Sequence, residues 1–142
     1  VRTLPLFPTR SGIRQPFSPK FAEFFAGIGL VRMGLEAAGW SCAFANDIDP
    51  TKRGQYEAHF DDAEAHFRLG DVHLLNGADV PDVTLATASF PCTDLSLAGG
   101  RAGIRAGESS AFWGFVEVLR QMGTRRPPLV LLENVTGFLS SN

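Results

Sequence analysis

The chain has 142 residues, 44% hydrophobic and 20% charged, with a formal net charge of −2. That is the size and composition of one globular domain able to bury a core. No apolar run approaches the ~20 residues of a membrane span, and the first residues do not read as a secretory leader. Two cysteines without a CxxC spacing argue against a disulfide framework or a zinc cluster, and a reducing compartment is the simpler expectation.

Residues 1–20 contain four prolines, four basic groups and no acid. They have no hydrophobic period, which predicts an extended arm or linker. Residues 21–100 carry four basic and twelve acidic groups, so the chain as a whole does not advertise nucleic-acid binding. Phe21 to Phe25 predicts a buried strand, and Ala26-Gly27-Ile28-Gly29 a tight turn. From Leu30 to Ala38 the pattern becomes helical, with Leu30, Val31, Gly34, Leu35 and Ala38 on one face and Gly39 as the stop.

Ser41 to Ala45 predicts a second strand. Asp49-Pro50 opens the next helix, with Asp as N-cap and Pro at the first helical position. That helix runs to about Phe60, pairing Tyr56 with Phe60 at i,i+4. A short third strand ends near Leu69, before Gly70-Asp71-Val72. Val83 to Ser89 forms the fourth strand. Ser110 to Met122 is helical, with Phe112, Phe115, Val116, Leu119 and Met122 lining one face. Pro127-Pro128 cannot continue it, and Leu129 to Leu132 forms the fifth strand.

Strands alternating with helices predict an α/β fold with a parallel sheet covered on both faces. Ligands then sit outside the carboxyl ends of the strands. Each end carries a polar or glycine feature: Gly27 and Gly29, Asn46-Asp47, Asp71, Pro91-Cys92, and Glu133-Asn134.

Gly27-x-Gly29 lets backbone approach a ligand at a helix start. Asp47 lies twenty residues beyond Gly27, where nucleotide-binding folds place an acid on the ribose hydroxyls; a helix-capping role is the alternative. A dinucleotide fingerprint requires a third glycine where Arg32 stands. A cofactor with ribose and adenine but no pyrophosphate therefore fits better. Asp71 with the Val72 N–H suits an adenine edge, or is a loop aspartate at a turn.

Cys92 is either an inert buried thiol or a nucleophile presented by Pro91 at a strand end. Glu133 lies 41 residues beyond Cys92, the span of one βαβ unit. If the fourth and fifth strands are neighbours, ~4.8 Å apart, the two side chains face one substrate. A buried unpaired Glu after Leu-Val-Leu-Leu is costly, so it needs a partner or a role; hydrogen bonding to loop amides is the other reading. Arg101 and Arg105, in a Gly-rich loop after Cys92, suit phosphate contacts. His59, His66 and His73 form no ligand-like cluster, and no metal is expected.

Phe25-Ala26-Gly27-Ile28-Gly29, Phe90-Pro91-Cys92 with Ser96-x-Ala98-Gly99, and Glu133-Asn134-Val135 follow one another in that order. In this combination the chain resembles the DNA cytosine-5 methyltransferase family over roughly residues 21–139. The resemblance implies a Rossmann-like S-adenosylmethionine-dependent methyltransferase fold, truncated here after the fifth strand, with residues 21–142 a partial catalytic domain. It implies S-adenosylmethionine in a pocket made by Phe25, Ala26, Gly27, Ile28, Gly29 and Pro91. Asp47 would hold the ribose, Ile48 would lie on the adenine, and Asp71 and Val72 would read the adenine edge.

The family flips its target cytosine out of double-stranded DNA. By resemblance, Cys92 attacks C6, Glu133 holds and protonates N3, and Asn134 supports the site. Ser96, Arg101 and Arg105 belong to the loop, about Thr93 to Ser110, that closes over DNA. A bacterial, cytoplasmic, nucleoid-associated enzyme of the restriction–modification type is implied, with no membrane and no metal. Leu30 replaces a further glycine, and Thr93 and Leu95 replace the usual Gln and Phe. The family's arginine motif, target-recognition region and last cofactor motif would lie beyond Asn142. The expectation is thus the front half of a catalytic domain, inactive alone: a shortened chain, a proteolytic product, or one half of a split enzyme with a complementary C-terminal half. Two other functions compete: a nicotinamide-dependent oxidoreductase domain, and a catalytically silent DNA-associated partner built on the same scaffold.

Overall fold

The computed structural model describes residues 19–90 and 111–133. Its elements are β1 (Lys20–Phe24), α1 (Leu30–Ala37), β2 (Ser41–Asp47), α2 (Pro50–His59), α3 (Ala63–His66), β3 (Phe67–Leu69), β4 (Leu85–Ala88), α4 (Ala111–Gln121) and β5 (Leu129–Leu132). Short 3-10 turns at Val72–Leu74, Gly77–Asp79 and Gly123–Arg125 complete the set. The predicted arm lies outside the described residues, apart from its end: Lys20 already pairs with Ser41 in the sheet.

The five strands are all parallel, in the order β3-β2-β1-β4-β5. The chain first builds outward from β1 through β2 to β3, then returns to the other side of β1 for β4 and β5. This reversal puts the topological switch between β1 and β4, where their carboxyl ends open a crevice.

Alternation along the strands divides the core in two. On one face Ala22, Phe24, Phe44, Ala86 and Ala88 pack under Phe115, Val118 and Met122 of α4. On the other, Ala45 packs with Tyr56, Phe60, Ala63 and Phe67. The strand set and α2 are as expected. Asp49 caps α2 by accepting from the Thr51 and Lys52 N–H groups, and the Tyr56 and Phe60 rings stand 4.7 Å apart.

Three expectations are corrected. The face predicted for α1 is not the buried one: Leu30 is 67% exposed, whereas Arg32 is 3% exposed. Arg32 is satisfied from every side, as described below, so burying it leaves no unpaired donor. On α4 the buried stripe is Gly114, Phe115, Val118 and Met122; it shares Phe115 and Met122 with the predicted face, Phe112 and Leu119 pack partly buried against the same core, and Gly114 and Val118 lie outside the expected set. At Gly114 a Cβ would meet Val72 Cγ1 at 2.7 Å; the helix presses on the Val72–Leu74 turn at its smallest residue. Finally, β5 is not covered on both faces by the described residues: Leu129 to Leu132 are 39–52% exposed. Glu133 is exposed too, so the expected cost of burying its carboxylate does not arise here.

Candidate functional site

Four strand ends, those of β1, β2, β3 and β4, converge on a cavity of about 410 Å³ lined by Phe25, Asn46, Asp47, Ile48, Lys52, Gly70, Asp71, Val72, His73, Ser89 and Ala111. This volume suits a small cofactor. Five residues expected to hold an adenosine cofactor, Phe25, Asp47, Ile48, Asp71 and Val72, are thus brought to one cavity.

The glycine turn starts at Phe25, which lines the cavity, whereas Ala26, Gly27, Ile28 and Gly29, expected in the same pocket, are not among the lining residues. Phe25 leaves the strand with φ 56, a left-handed conformation that a bulky residue rarely adopts. The expected last residue of β1 is instead the first residue of the turn. Its ring, half-buried, meets the Phe90 ring at 6.3 Å. Gly27 and Gly29 are also left-handed, at φ 57 and 86. The Gly29 N–H closes the turn on Ala26 O at 2.9 Å. Ala26 is buried in the core beside Tyr56 and Phe60, whereas Ile28 is 43% exposed.

Asp47 is 5% exposed and ties two segments together. Its Oδ2 accepts the Gly27 N–H at 2.8 Å, and its Oδ1 accepts the Asp49 N–H at 2.9 Å. The carboxylate therefore fixes both the glycine turn and the start of α2, although the N-cap itself is Asp49. Asn46, to which sequence reasoning assigns no role, donates from Nδ2 to Arg68 O and Gly70 O at 2.8 and 2.9 Å. It pins the end of β3, and hence Asp71, beside Asp47. The available signal is an Asn at a strand end, adjacent to Asp47. Asp71 caps the following 3-10 turn by accepting the His73 N–H at 3.0 Å. Val72 is buried, and Ile48, 64% exposed, stands at the mouth.

Behind the turn lies a polar knot around Arg32. Its guanidinium donates to Glu36 Oε1 at 2.8 Å, Asp62 Oδ1 at 2.6 Å, Tyr56 Oη at 3.1 Å and His66 Nε2 at 3.0 Å. It also stacks 3.9 Å from the Phe60 ring centre. Burial, reinforced by the nearby Arg32 charge, lowers the His66 pKa below its ordinary 6.5, which keeps Nε2 free to accept. The bond to Arg32 holds the Asp62 carboxyl below its usual range. Arg32 is thus committed to the fold and does not face the turn.

On the other side of β1, β4 and β5 are neighbours, with Ala88 opposite Leu132, and the Glu133 N–H donates to Ala88 O at 3.0 Å. This sets Glu133 level with the start of the Ser89-to-Cys92 segment. Pro91, Cys92, Ser96, Arg101, Arg105 and Asn134 lie outside the described residues, as does the loop about Thr93 to Ser110. Among the described residues, no group of three or more His, Cys, Asp or Glu side chains is arranged to hold a metal ion.

A family model for the C-5 cytosine-specific DNA methylases matches residues 19–142. The Type II methyltransferase M.HhaI of Haemophilus parahaemolyticus is 30% identical over 121 residues, covering 85% of this chain and 35% of that protein. M.NgoBI of Neisseria gonorrhoeae is 34% identical over 116 residues, covering 82% of this chain and 34% of that protein. The chain therefore spans about a third of the length of these relatives. Among solved structures, the Dnmt2 methyltransferase of S. pombe superposes with a TM-score of 0.66 at 25% identity, over 88% of this chain and 37% of that one. The Entamoeba histolytica methyltransferase EhMeth shares the fold, with a TM-score of 0.70 at 17% identity over 87% of this chain and 40% of that one.

Proposed function

Because the chain belongs to the C-5 cytosine-specific DNA methylase family, we propose that its full-length polypeptide methylates C5 of cytosine in double-stranded DNA, with Cys92 as nucleophile. The observation that carries this reading is the pairing of β4 with β5 beside the cavity. Ser89, at the end of β4, lines the cavity, and Glu133 stands at the same level on the neighbouring strand. In this reading Cys92, three residues beyond Ser89 in the sequence, supplies the nucleophile and Glu133 the proton donor for a base held beside the cofactor.

The cavity's residues fit S-adenosylmethionine. Asp47 and Asp71 offer carboxylates to ribose hydroxyls and an adenine amino group, Val72 its backbone N–H to the adenine edge, and Ile48 apolar surface to the adenine ring. The lining carries two carboxylates, Asp47 and Asp71, against one lysine, Lys52, a negative balance that disfavours a pyrophosphate, and Arg32 is buried among its own partners. This favours the methyl donor over a nicotinamide dinucleotide. When bound, S-adenosylmethionine supplies a methyl group on a sulfonium.

The chain's own residues act on the base. The Cys92 thiolate forms a bond to C6 of a flipped-out cytosine while Glu133 delivers a proton to N3. Electron density then collects at C5, which takes the methyl group. Loss of the C5 proton to a base, with return of the N3 proton, expels the Cys92 sulfur and restores the aromatic ring. Asn134 supports the base edge, and Ser96, Arg101 and Arg105 contact the DNA backbone from the loop after Cys92. Turnover is assigned to the full-length polypeptide, and the 142-residue segment alone is expected to need a complementary C-terminal half.

The test is covalent trapping. DNA containing 5-fluorocytosine has no C5 proton to lose, so the enzyme should remain attached to it through Cys92. A denaturation-resistant adduct is expected with the full-length protein and not with Cys92→Ser. An adduct that survives that substitution would overturn the reading.

A further inference from the structure

Glu23 is the fourth of the five residues of β1, 2% exposed, with its carboxylate on the face that carries α1 and α2. The proposed chemistry does not use it, and neither does the Arg32 guanidinium. Its Oε1 accepts the Arg32 backbone N–H at 3.3 Å, one of the N–H groups at the start of α1 that no helical carbonyl can reach. Gly29, the residue before that helix, has no side chain to cap it. Glu23 therefore takes the place of a cap, reaching up from the strand beneath.

Its second oxygen is an orphan. Among the described residues, Glu23 Oε2 and Thr87 Oγ1 are buried without a hydrogen-bond partner. The two residues are opposite each other on β1 and β4, the strands that frame the switch crevice. A buried carboxylate with one oxygen on a helix start and one unpaired is finely balanced between its charged and neutral forms. Burial is the main influence and raises its pKa from 4.5 to about 7, against the opposing pull of the Arg32 amide and charge. The other charged or titratable groups facing it are Glu36 on α1, and Asp47 and Cys42 on β2.

The glycine turn spans the interval between Glu23 and α1. Asp47 holds the turn at Gly27, and Glu23 holds the helix into which it runs. We propose that Glu23 is a positioning residue of the cofactor site: its ionised carboxylate fixes the start of α1, and with it the glycine turn, in the form that binds cofactor, so that cofactor affinity rises with pH. This rests on reading the cavity as an adenosine-cofactor site. An ionised carboxylate is the stronger acceptor for a helix-start N–H and also complements the positive end of the helix dipole. Glu23 is already 2% exposed, so a ligand over the turn removes hardly any further water from it. Affinity that rises with pH also means that binding releases a proton.

Calorimetry with S-adenosylhomocysteine tests this in the full-length protein, since that ligand's sulfur is uncharged and cannot itself respond to Glu23. The wild type should bind about three- to tenfold more weakly at pH 6 than at pH 8, the span available to one linked proton. Repeating the titration in buffers of different ionisation enthalpy should show proton release near neutral pH. Glu23→Gln, which keeps an acceptor oxygen but cannot ionise, should bind weakly at both pH values; any slope left in it belongs to other groups. A flat wild-type profile, or an undiminished slope in Glu23→Gln, overturns the proposal while leaving the cofactor site standing. Failure of the wild type to bind at any pH overturns both. If Glu23→Gln does not fold, the Arg32 amide resonance of the wild type decides: it should titrate near neutrality, and a constant shift from pH 5.5 to 8.5 refutes the coupling.

Discussion

Gly27 and Gly29 look equivalent in the sequence, and the structure separates their roles. Both have positive φ, but a Cβ on Gly29 would drive into the Phe60 ring and touch Tyr56, whereas a Cβ on Gly27 meets open space. Gly29→Ala therefore combines backbone strain with overpacking and should destabilise the protein by about 2–4 kcal/mol. Gly27→Ala carries the strain alone and should cost about 1–2 kcal/mol. Urea unfolding of the two variants checks the ranking, and equal midpoints would contradict it. The glycine turn is legible in the sequence because two glycines between a strand and a helix mark backbone that turns through positive φ. The left-handed Phe25 is not, since nothing in the string Phe24-Phe25-Ala26 distinguishes a strand end from the first residue of a turn.

Helix α1 shows where periodicity misleads. Its apolar residues Leu30 and Met33 are 67% and 46% exposed, while the single arginine is buried. The reason is tertiary: Arg32 finds Tyr56, Asp62 and His66 at separations of 24, 30 and 34 residues, beyond any local pattern. The knot thereby fastens three helices to one another. Arg32→Lys offers a point charge in place of a planar fork and cannot satisfy all four acceptors. It should lower stability by about 2–4 kcal/mol, because Tyr56 and His66 lose a buried donor. Asp62→Asn should cost less, about 1 kcal/mol, because the Asp62 side chain is 61% exposed and water replaces what is lost. Denaturant midpoints for the single and double variants give the coupling between the two residues directly. Where elements are buried on both faces, as in β1, or opened by a cap, as in α2, sequence and structure agree, since local chemistry and tertiary packing favour the same conformation there.

Across the whole molecule, the cavity is legible through a topological rule: strand ends of a parallel sheet gather on one edge, so Asp47, Ile48, Asp71 and Val72 group together without any knowledge of their distances. Lys52 escapes that rule because it lies on α2 and not at a strand end; the rule places Asn46 but not its bonds, which depend on side-chain direction. Glu23 escapes it too, although a lone acid inside Phe-Ala-Glu-Phe-Phe is conspicuous, and it contributes to how the fold responds to pH. Its folded pKa of about 7 lies above the ordinary 4.5, so its contribution to stability is fully present below pH 4.5 and is lost as pH rises through 7. His66 has the opposite sign: its pKa is lowered from 6.5, so its contribution is present above pH 6.5 and is lost as pH falls below it. The Glu23→Gln variant isolates the first effect, because His66 is common to both proteins. At pH 8 the variant should be more stable than the wild type by on the order of 1–3 kcal/mol, since a buried charge has been removed. The difference should shrink toward zero by pH 4.5, where the wild-type carboxyl is neutral. A variant that is more stable yet binds cofactor less well is what a functional site held at the expense of stability produces. Urea midpoints of both proteins across this range settle the matter: a stability difference independent of pH would mean that Glu23 does not carry the ionisable charge assigned to it.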